Sequence, residues 1–137
     1  MADNIKLEVV TPEKAVVDED VQMVVSPGTL GEFGVLAGHT TFLTTLKIGT
    51  IRYTDANGKE RYVFVSGGFA EALPDKVTVL AESAERRKDI DLARAKDALQ
   101  RAEKRLAEDR AKETIDFVRA KAALERALQR IKLAGTL

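Results

Sequence analysis

Several residue types and segments that carry common functions are missing from this chain. It has no cysteine and only one histidine, His39. The absence of cysteine excludes a disulfide framework and a thiolate metal site, and one histidine alone makes neither a zinc site nor a catalytic triad. No apolar run approaches the roughly 20 residues of a membrane-spanning helix, and the first residues resemble no signal peptide. We therefore expect a soluble protein made in a reducing compartment, which leaves open a position against a membrane complex.

Charge is unevenly distributed along the chain. Residues 1–84 contain 7 Lys and Arg against 12 Asp and Glu, a net charge of −5, whereas residues 85–137 contain 15 against 10, a net of +5. The composition changes at the same point, from short β-rich runs to segments dense in Ala, Arg, Lys and Glu. The sequence thus predicts two domains, 1–84 and 85–137, which meet different partners.

The first domain has the pattern of a β-rich fold. Ile5, Leu7 and Val9 alternate with their neighbours at period 2, as in a half-buried strand. Further strands are predicted at residues 15–17, 21–25, 50–53, 61–65, 69–73 and 77–81, with turns or breaks at 11–12, 18–20, 26–28, 55–58, 67–68 and 74–75. The Asn-Gly pair in 55–58 is a strong hairpin signal, because both residues tolerate positive φ. Strands this short and frequent predict a β-sandwich or flattened barrel.

A glycine-rich stretch at residues 31–39 stands out from these strands. Three glycines separated by small apolar residues predict a sharply turned edge loop. A phosphate-binding P-loop is excluded, because neither a helix start nor a lysine follows the last glycine. Two interpretations remain, a structural turn and a docking edge. For His39 we predict capping or packing within the turn.

The second domain is predicted to be an antiparallel helical hairpin. Asp89 and Asp91 are candidate N-caps, the polar residues 108–114 return the chain, and Gly135 is a candidate C-terminal stop. Each helix has a heptad seam of alternating large residues and alanine: Leu92, Ala95, Leu99, Ala102 and Leu106 in one, Phe117, Ala120, Leu124, Ala127 and Ile131 in the other. So much alanine buries little apolar area, which predicts a weakly held element of the kind that a switch needs.

Arginines repeat along both predicted helices at spacings of 7 and 4. They are Arg94, Arg101 and Arg105, then Arg119, Arg126 and Arg130. Each trio lies on one helical face, so two such faces in a hairpin can converge on a polyanion. The alternative is a solvated face with ion pairs such as Asp97 with Arg101, each worth a few tenths of a kcal/mol.

Four stretches together carry a family resemblance. They are Val-Val-Thr-Pro at 9–12, Gly-Glu-Phe-Gly-Val-Leu-Ala-Gly-His at 31–39, Val-Ser-Gly-Gly-Phe at 65–69 and Pro-Asp-Lys-Val-Thr-Val-Leu at 74–80. With the helical hairpin after them, the chain resembles the epsilon subunit of bacterial F-type ATP synthases over essentially its full length. The family also includes chloroplast epsilon and mitochondrial delta subunits, and the lack of a transit peptide agrees with a bacterial source.

The resemblance implies a rotor subunit without catalytic chemistry or a tightly bound cofactor, peripheral on the cytoplasmic face of the bacterial inner membrane. It implies a ten-stranded N-terminal sandwich that binds the gamma subunit and the c-ring, with the loop around Glu32 and His39 near the ring. It also implies a C-terminal hairpin that either folds against the sandwich or extends along gamma and impedes ATP hydrolysis. In the extended state its basic residues would face the beta subunit.

Some members of the family bind ATP on the folded hairpin, through the motif Ile/Leu-Asp-x-x-Arg-Ala. This chain matches the motif at Ile90, Asp91, Arg94 and Ala95, and the supporting residues correspond to Glu85, Arg101, Arg126 and Arg130. The resemblance therefore implies ATP as a regulatory ligand. Its phosphates would bridge the two arginine faces and stabilise the folded hairpin.

Two other classes of function compete with this interpretation. An enzyme such as a nucleotide hydrolase is disfavoured, because the sequence has no P-loop, no His–carboxylate pair and no candidate metal cage. A basic helical adaptor for nucleic acid or another protein is compatible with the hairpin. However, the sequence has no nucleic-acid module signature and a net charge of zero.

Overall fold

The computed structural model describes residues 3–108 and 114–135 (for 114–116 the backbone only) and divides the chain into two compact units, Met1–Arg87 and Lys88–Leu137. The boundary lies three residues after the composition change at 84/85, because β7 adds the next residues to the first unit. The elements in chain order are β1 (Ile5–Val10), β2 (Ala15–Gly28), β3 (Gly31–Val35), β4 (Phe42–Asp55), β5 (Glu60–Leu73), β6 (Lys76–Ala81), β7 (Ala84–Arg86), the 3-10 turn Arg87–Asp89, α1 (Leu92–Glu108) and α2 (Thr114–Gly135).

Five strands of the first unit pair in a closed ring. The order is β1-β6-β5-β4-β2, and β2 pairs again with β1; β3 adds to β2 and β7 adds to β5. β1 and β6 run parallel, and the other pairs run antiparallel. Closure of the ring protects the edges of its strands. The prediction of a β-sandwich or flattened barrel followed by a helical hairpin is therefore confirmed.

The expected number of ten strands needs correction, because the described residues form seven. Three of these, β2, β4 and β5, are each 14 residues long. β5 shows how a long strand replaces two short ones: it pairs with β7 through residues 63–65 and with β6 through residues 68–73. Gly67 lies between the two segments and Gly68 begins the second, at φ of 71° and 125°. This predicted turn therefore lies inside the strand and does not end it. Counted as two halves each, the three long strands would bring the number to ten.

A second correction concerns the acidic run at residues 18–20, which was expected to end a strand and instead lies inside β2. The register of β1 against β2 places Glu8 opposite Asp18, two like charges. Asp18 pairs diagonally with Lys6 at 3.0 Å, and Glu19 pairs with Arg86 at 3.5 Å. These cross-strand ion pairs make an acidic strand segment tolerable. The predicted stop at residues 26–28 is also part of β2, where it pairs with β3.

The hydrophobic core lies inside the barrel. The period-2 prediction for β1 is confirmed, since Ile5, Leu7 and Val9 are each at most 1% exposed. The other buried members are Val17, Val21, Val24, Val35, Leu46, Ile51, Tyr53, Val63, Val65, Ala70, Ala72, Val77, Val79, Ala81 and Ala84. Most are β-branched or small, as suits alternating positions on a pleated sheet.

The predicted Asn-Gly hairpin connects β4 to β5. Gly58 has φ of 82°, and its N–H donates to the carbonyl oxygen of Asp55 at 3.0 Å. The Asp55 carboxylate accepts the N–H groups of Asn57 and Lys59, both at 2.9 Å, and pairs with Arg61 at 3.2 Å. These bonds, that from Lys59 first, lower the pKa of Asp55 below its ordinary value.

In the second unit α1 packs against α2 through the predicted seam. Its four alanines, Ala95, Ala102, Ala120 and Ala127, are buried, whereas the large seam residues are half-buried or exposed; Leu133 is also buried. The alanines thus allow close approach of the backbones, and little large apolar surface is removed from water. Most of the predicted polar return, residues 109–113, lies outside the described residues. No helix in the described part of the chain is long and apolar enough to cross a membrane.

Candidate functional site

The candidate nucleotide motif forms the first turn of α1. The Asp91 carboxylate accepts the backbone N–H of Arg94 at 3.0 Å, and the Asp91 carbonyl accepts the N–H of Ala95 at 3.0 Å. Asp91 is therefore the N-cap, one of the two candidates predicted for that role. Ala95 is buried in the hairpin, Ile90 is half-buried and Arg94 is exposed.

The remaining candidate residues are distributed over both units. Glu85 is half-buried in β7 of the first unit, whereas Arg101 lies exposed on α1, and Arg126 and Arg130 lie half-buried one turn apart on α2. Within residues 3–108 and 114–135, Arg94, Arg101 and Arg126 form no ion pair. The alternative pair of Asp97 with Arg101 is thus not formed.

The candidate docking loop spans β3 and the turn after it. Glu32 is exposed on β3, and its carboxylate pairs with Arg52 of β4 at 2.7 Å. His39 packs within the turn as predicted. Its backbone N–H donates to the carbonyl oxygen of Leu36 at 3.2 Å, and its ring contacts the Phe42 ring edge-on, with 5.1 Å between the centroids. These contacts hold the loop near both ends, and Leu36 between them is exposed.

The sequence did not indicate an apolar groove on the barrel. Phe69 of β5 and Leu80 of β6 are 53% and 56% exposed and lie opposite each other in the β5–β6 register. They line an open cavity of about 610 Å³, with Val10, Thr45, Leu46 and Glu82 among the other lining residues. Large apolar side chains left exposed together mark an interaction surface.

A polar network that sequence reasoning missed lies at the end of the first unit. Arg86 donates from Nη1 to Tyr53 Oη at 3.1 Å and from Nε to the Val16 carbonyl at 3.0 Å, and it pairs with Glu19. Burial, together with the hydrogen bond to Glu19, raises the pKa of Tyr53 to about 12. Separations of 33 and 70 residues between the bonded groups leave no local sequence signal.

This raised pKa predicts a loss of stability in alkali. Since the folded pKa exceeds the ordinary value of 10.0, the contribution of Tyr53 to stability is complete below that value and is lost as pH rises toward about 12. In a Tyr62→Phe variant Tyr53 is the only remaining tyrosine. An absorbance titration of tyrosinate should then give a midpoint near the raised value. A midpoint near 10.0 while circular dichroism still reports folded protein would contradict this assignment.

Among the described residues, no cluster of three or more His, Cys, Asp or Glu is placed to hold a metal ion. The fold defines a class of protein in which a closed β-barrel is followed by a helical hairpin with alanines in its seam. Two family models match this chain. ATP synthase, Delta/Epsilon chain, beta-sandwich domain matches residues 4–87, and the long alpha-helix domain of the same chain matches residues 88–135.

The chain belongs to the ATP synthase delta/epsilon family. It is 67% identical over 108 residues to the ATP synthase epsilon chain of Desulforapulum autotrophicum. The matched region covers 79% of this chain and 80% of that relative. It is also 67% identical over 106 residues to the epsilon chain of Desulfatibacillum aliphaticivorans, covering 77% and 75% of the two chains. It is therefore a non-catalytic central-stalk subunit of an F-type ATP synthase.

Two solved structures share the fold. A chain of the Euglena gracilis mitochondrial ATP synthase, solved by cryo-EM with OSCP, F1 and the c-ring, has a TM-score of 0.78 at 24% identity and covers 94% of this chain and 80% of its own. A chain of the Tetrahymena thermophila mitochondrial ATP synthase central stalk and c-ring has a TM-score of 0.62 at 10% identity, covering 97% and 98%. At these identities the likeness concerns the fold.

Proposed function

We propose that this subunit joins the catalytic head to the c-ring, and that its helical hairpin regulates ATP hydrolysis by moving between a folded and an extended state. The observation that carries the proposal is the coincidence of two boundaries: the two family matches meet at residues 87 and 88, where the structure also divides. A boundary between compact units is where relative movement is expected. The complex would hold the subunit at the cytoplasmic face of a bacterial inner membrane.

The barrel is the docking domain in this proposal, with gamma and the c-ring as its partners. Support comes from its two exposed surfaces. The β3 loop presents Glu32 and His39 in a shape fixed by Arg52 and Phe42, and we assign it to the c-ring side. The groove at Phe69 and Leu80 offers the apolar area that stable interfaces bury at their centre.

The hairpin is the regulatory domain, with ATP as its ligand. Within residues 3–108 and 117–135, Arg94 and Arg126 form no ion pair. Such arginines are suited to phosphate, to which arginine donates charge-assisted hydrogen bonds. α1 ends at Glu108 and α2 begins at Thr114. When two such helices pack antiparallel, Arg94 lies beside the part of α2 that runs from Arg126 to Arg130. Bound ATP would stabilise the folded hairpin, and low ATP would release it toward the beta subunit.

Calorimetric titration of the full chain with ATP, with and without magnesium, tests this ligand. We expect saturable one-to-one binding that weakens about ten- to a hundredfold in Arg126→Ala, since a hydrogen bond to a charged group contributes roughly 1.5–3 kcal/mol. Lys121→Ala is the control, because Lys121 is an exposed basic residue of the same helix as Arg126 and belongs to neither arginine trio. Equal affinity in Arg126→Ala and the parent, or no binding at millimolar ATP, would reassign the arginines to protein contacts.

A further inference from the structure

The last strand of the first unit is fixed by one residue, Arg86, which reaches β5 through its backbone and β2 and β4 through its side chain. Arg86 pairs with Val63 of β5 through the β7 backbone. Its guanidinium donates to the Val16 carbonyl of β2 and to the Tyr53 hydroxyl of β4, and its Nη2 lies 3.5 Å from Glu19 of β2. β7 is only three residues long, so its backbone pairing alone is a small part of what holds it.

The next residue is also fixed to the barrel. The guanidinium carbon of Arg87 lies 5.7 Å from the centroid of the Tyr62 ring on β5, within the range of a cation–π contact. The two consecutive arginines therefore fix the end of the first unit through two different aromatic side chains. One contact uses the hydroxyl of Tyr53 and the other uses the face of Tyr62.

The start of the helical unit is fixed independently. Asp91 caps α1 through the N–H of Arg94, and its carbonyl accepts the N–H of Ala95. Between the fixed end of the barrel at Arg87 and this cap lie only residues 88–90. Lys88 and Asp89 belong to the 3-10 turn Arg87–Asp89, and even fully extended, three residues would span at most about 10–11 Å. The segment between two rigid ends is thus short, and Lys88 and Asp89 in it are exposed.

We propose that Arg86 and Arg87 form a clamp that ends the barrel at residue 87 and confines the movement of the hairpin to residues 88–90. The inference rests on the proposed function, in which the hairpin moves. The clamp makes that movement a rotation about a short hinge. Release of the clamp would free β7 and lengthen the flexible segment from residues 88–90 to residues 84–90, which widens the range of hairpin positions.

Hydrogen exchange of the full chain, followed by mass spectrometry, tests the clamp. In the parent we expect slow exchange for the amides of β7 and fast exchange for residues 88–90. Arg86→Gln should accelerate exchange in β7 about tenfold or more, while the remaining strands stay protected. Arg61→Gln is the control, since Arg61 is an exposed arginine of the same barrel whose partner is Asp55.

Tyr53→Phe provides a second variant, because it removes one acceptor of the clamp and leaves the ring in the core. It should accelerate β7 exchange less than Arg86→Gln does, and it decides the test if Arg86→Gln fails to fold. The clamp is overturned if β7 exchange in the variants stays within about twofold of the parent. It is equally overturned if β7 in the parent exchanges as fast as residues 88–90.

ATP hydrolysis by the assembled complex separates this inference from the function on which it rests. If amide exchange in β7 accelerates in Arg86→Gln and the rate of ATP hydrolysis changes as well, both the clamp and the regulatory role of the hairpin are supported. If β7 loosens and hydrolysis stays the same as in the parent and in Arg61→Gln, the clamp stands and the regulatory role of the hairpin fails. Unchanged β7 exchange removes the clamp whatever the hydrolysis rate.

Discussion

Gly68→Ala is expected to destabilise the barrel by more than about 4 kcal/mol, which is among the largest effects of a single substitution. Gly68 has φ of 125°, a conformation that side chains disfavour. An added Cβ would also overlap the carbonyl oxygen of Leu80 and lie 2.9 Å from the Cα of Ala81. Both atoms belong to the backbone of β6, which pairs with β5 at this position. Relief of the clash would therefore separate the two strands.

Gly58→Ala is the matched control for this prediction. Gly58 also has a positive φ, 82°, but nothing lies within 4 Å of the site of an added Cβ. Its substitution should cost only the conformational energy of the left-handed backbone, about 1–2 kcal/mol. Urea unfolding followed by circular dichroism measures both variants. Equal unfolding free energies for the two variants would show that β6 can move aside and would refute the steric argument.

Elements specified by short-range rules were predictable from the sequence. The alternation of Ile5, Leu7 and Val9 predicted β1, and the Asn-Gly pair predicted the β4–β5 turn. The 3-and-4 spacing of large residues alternating with alanines predicted the helical seam. Each rule depends on residues a few positions apart, so each can be applied to the amino-acid sequence alone. The strand pattern predicted a sandwich or flattened barrel, and the closed pairing of β1 with both β2 and β6 became visible only in the structure.

Features that depend on distant residues were not predictable. The acidic residues 18–20 remain in β2 because two of them have basic partners on other strands, Asp18 with Lys6 and Glu19 with Arg86. The groove at Phe69 and Leu80 was missed because the period-2 alternation of a strand shows only that a side chain faces away from the core. It does not show whether another element covers that side chain. For the candidate nucleotide site, sequence spacing placed the arginines on helices and the resemblance selected among them. It did not show that Glu85 belongs to the barrel unit.

Ala120→Leu is expected to melt the helical hairpin while the barrel stays folded. Ala120 is completely buried in α2, and the added carbons would push apart helices whose seam depends on close approach. Overpacking of this kind costs about 1–3 kcal/mol. The unit contains about 50 residues, a size at which one hydrophobic core supplies only about 3–5 kcal/mol. The cost is therefore a large fraction of what holds the hairpin.

Ala107→Leu is the control, since Ala107 is exposed on α1 and the change should stay within about 0.5 kcal/mol. Thermal melting followed by circular dichroism should show the helical signal of Ala120→Leu disappearing well below the transition of the barrel. The control should melt like the parent. One coincident transition in both variants would mean that the two units unfold together. Separate transitions would mean that the hairpin can be displaced at little cost to the barrel, which is the energetic condition that the proposed regulatory movement requires.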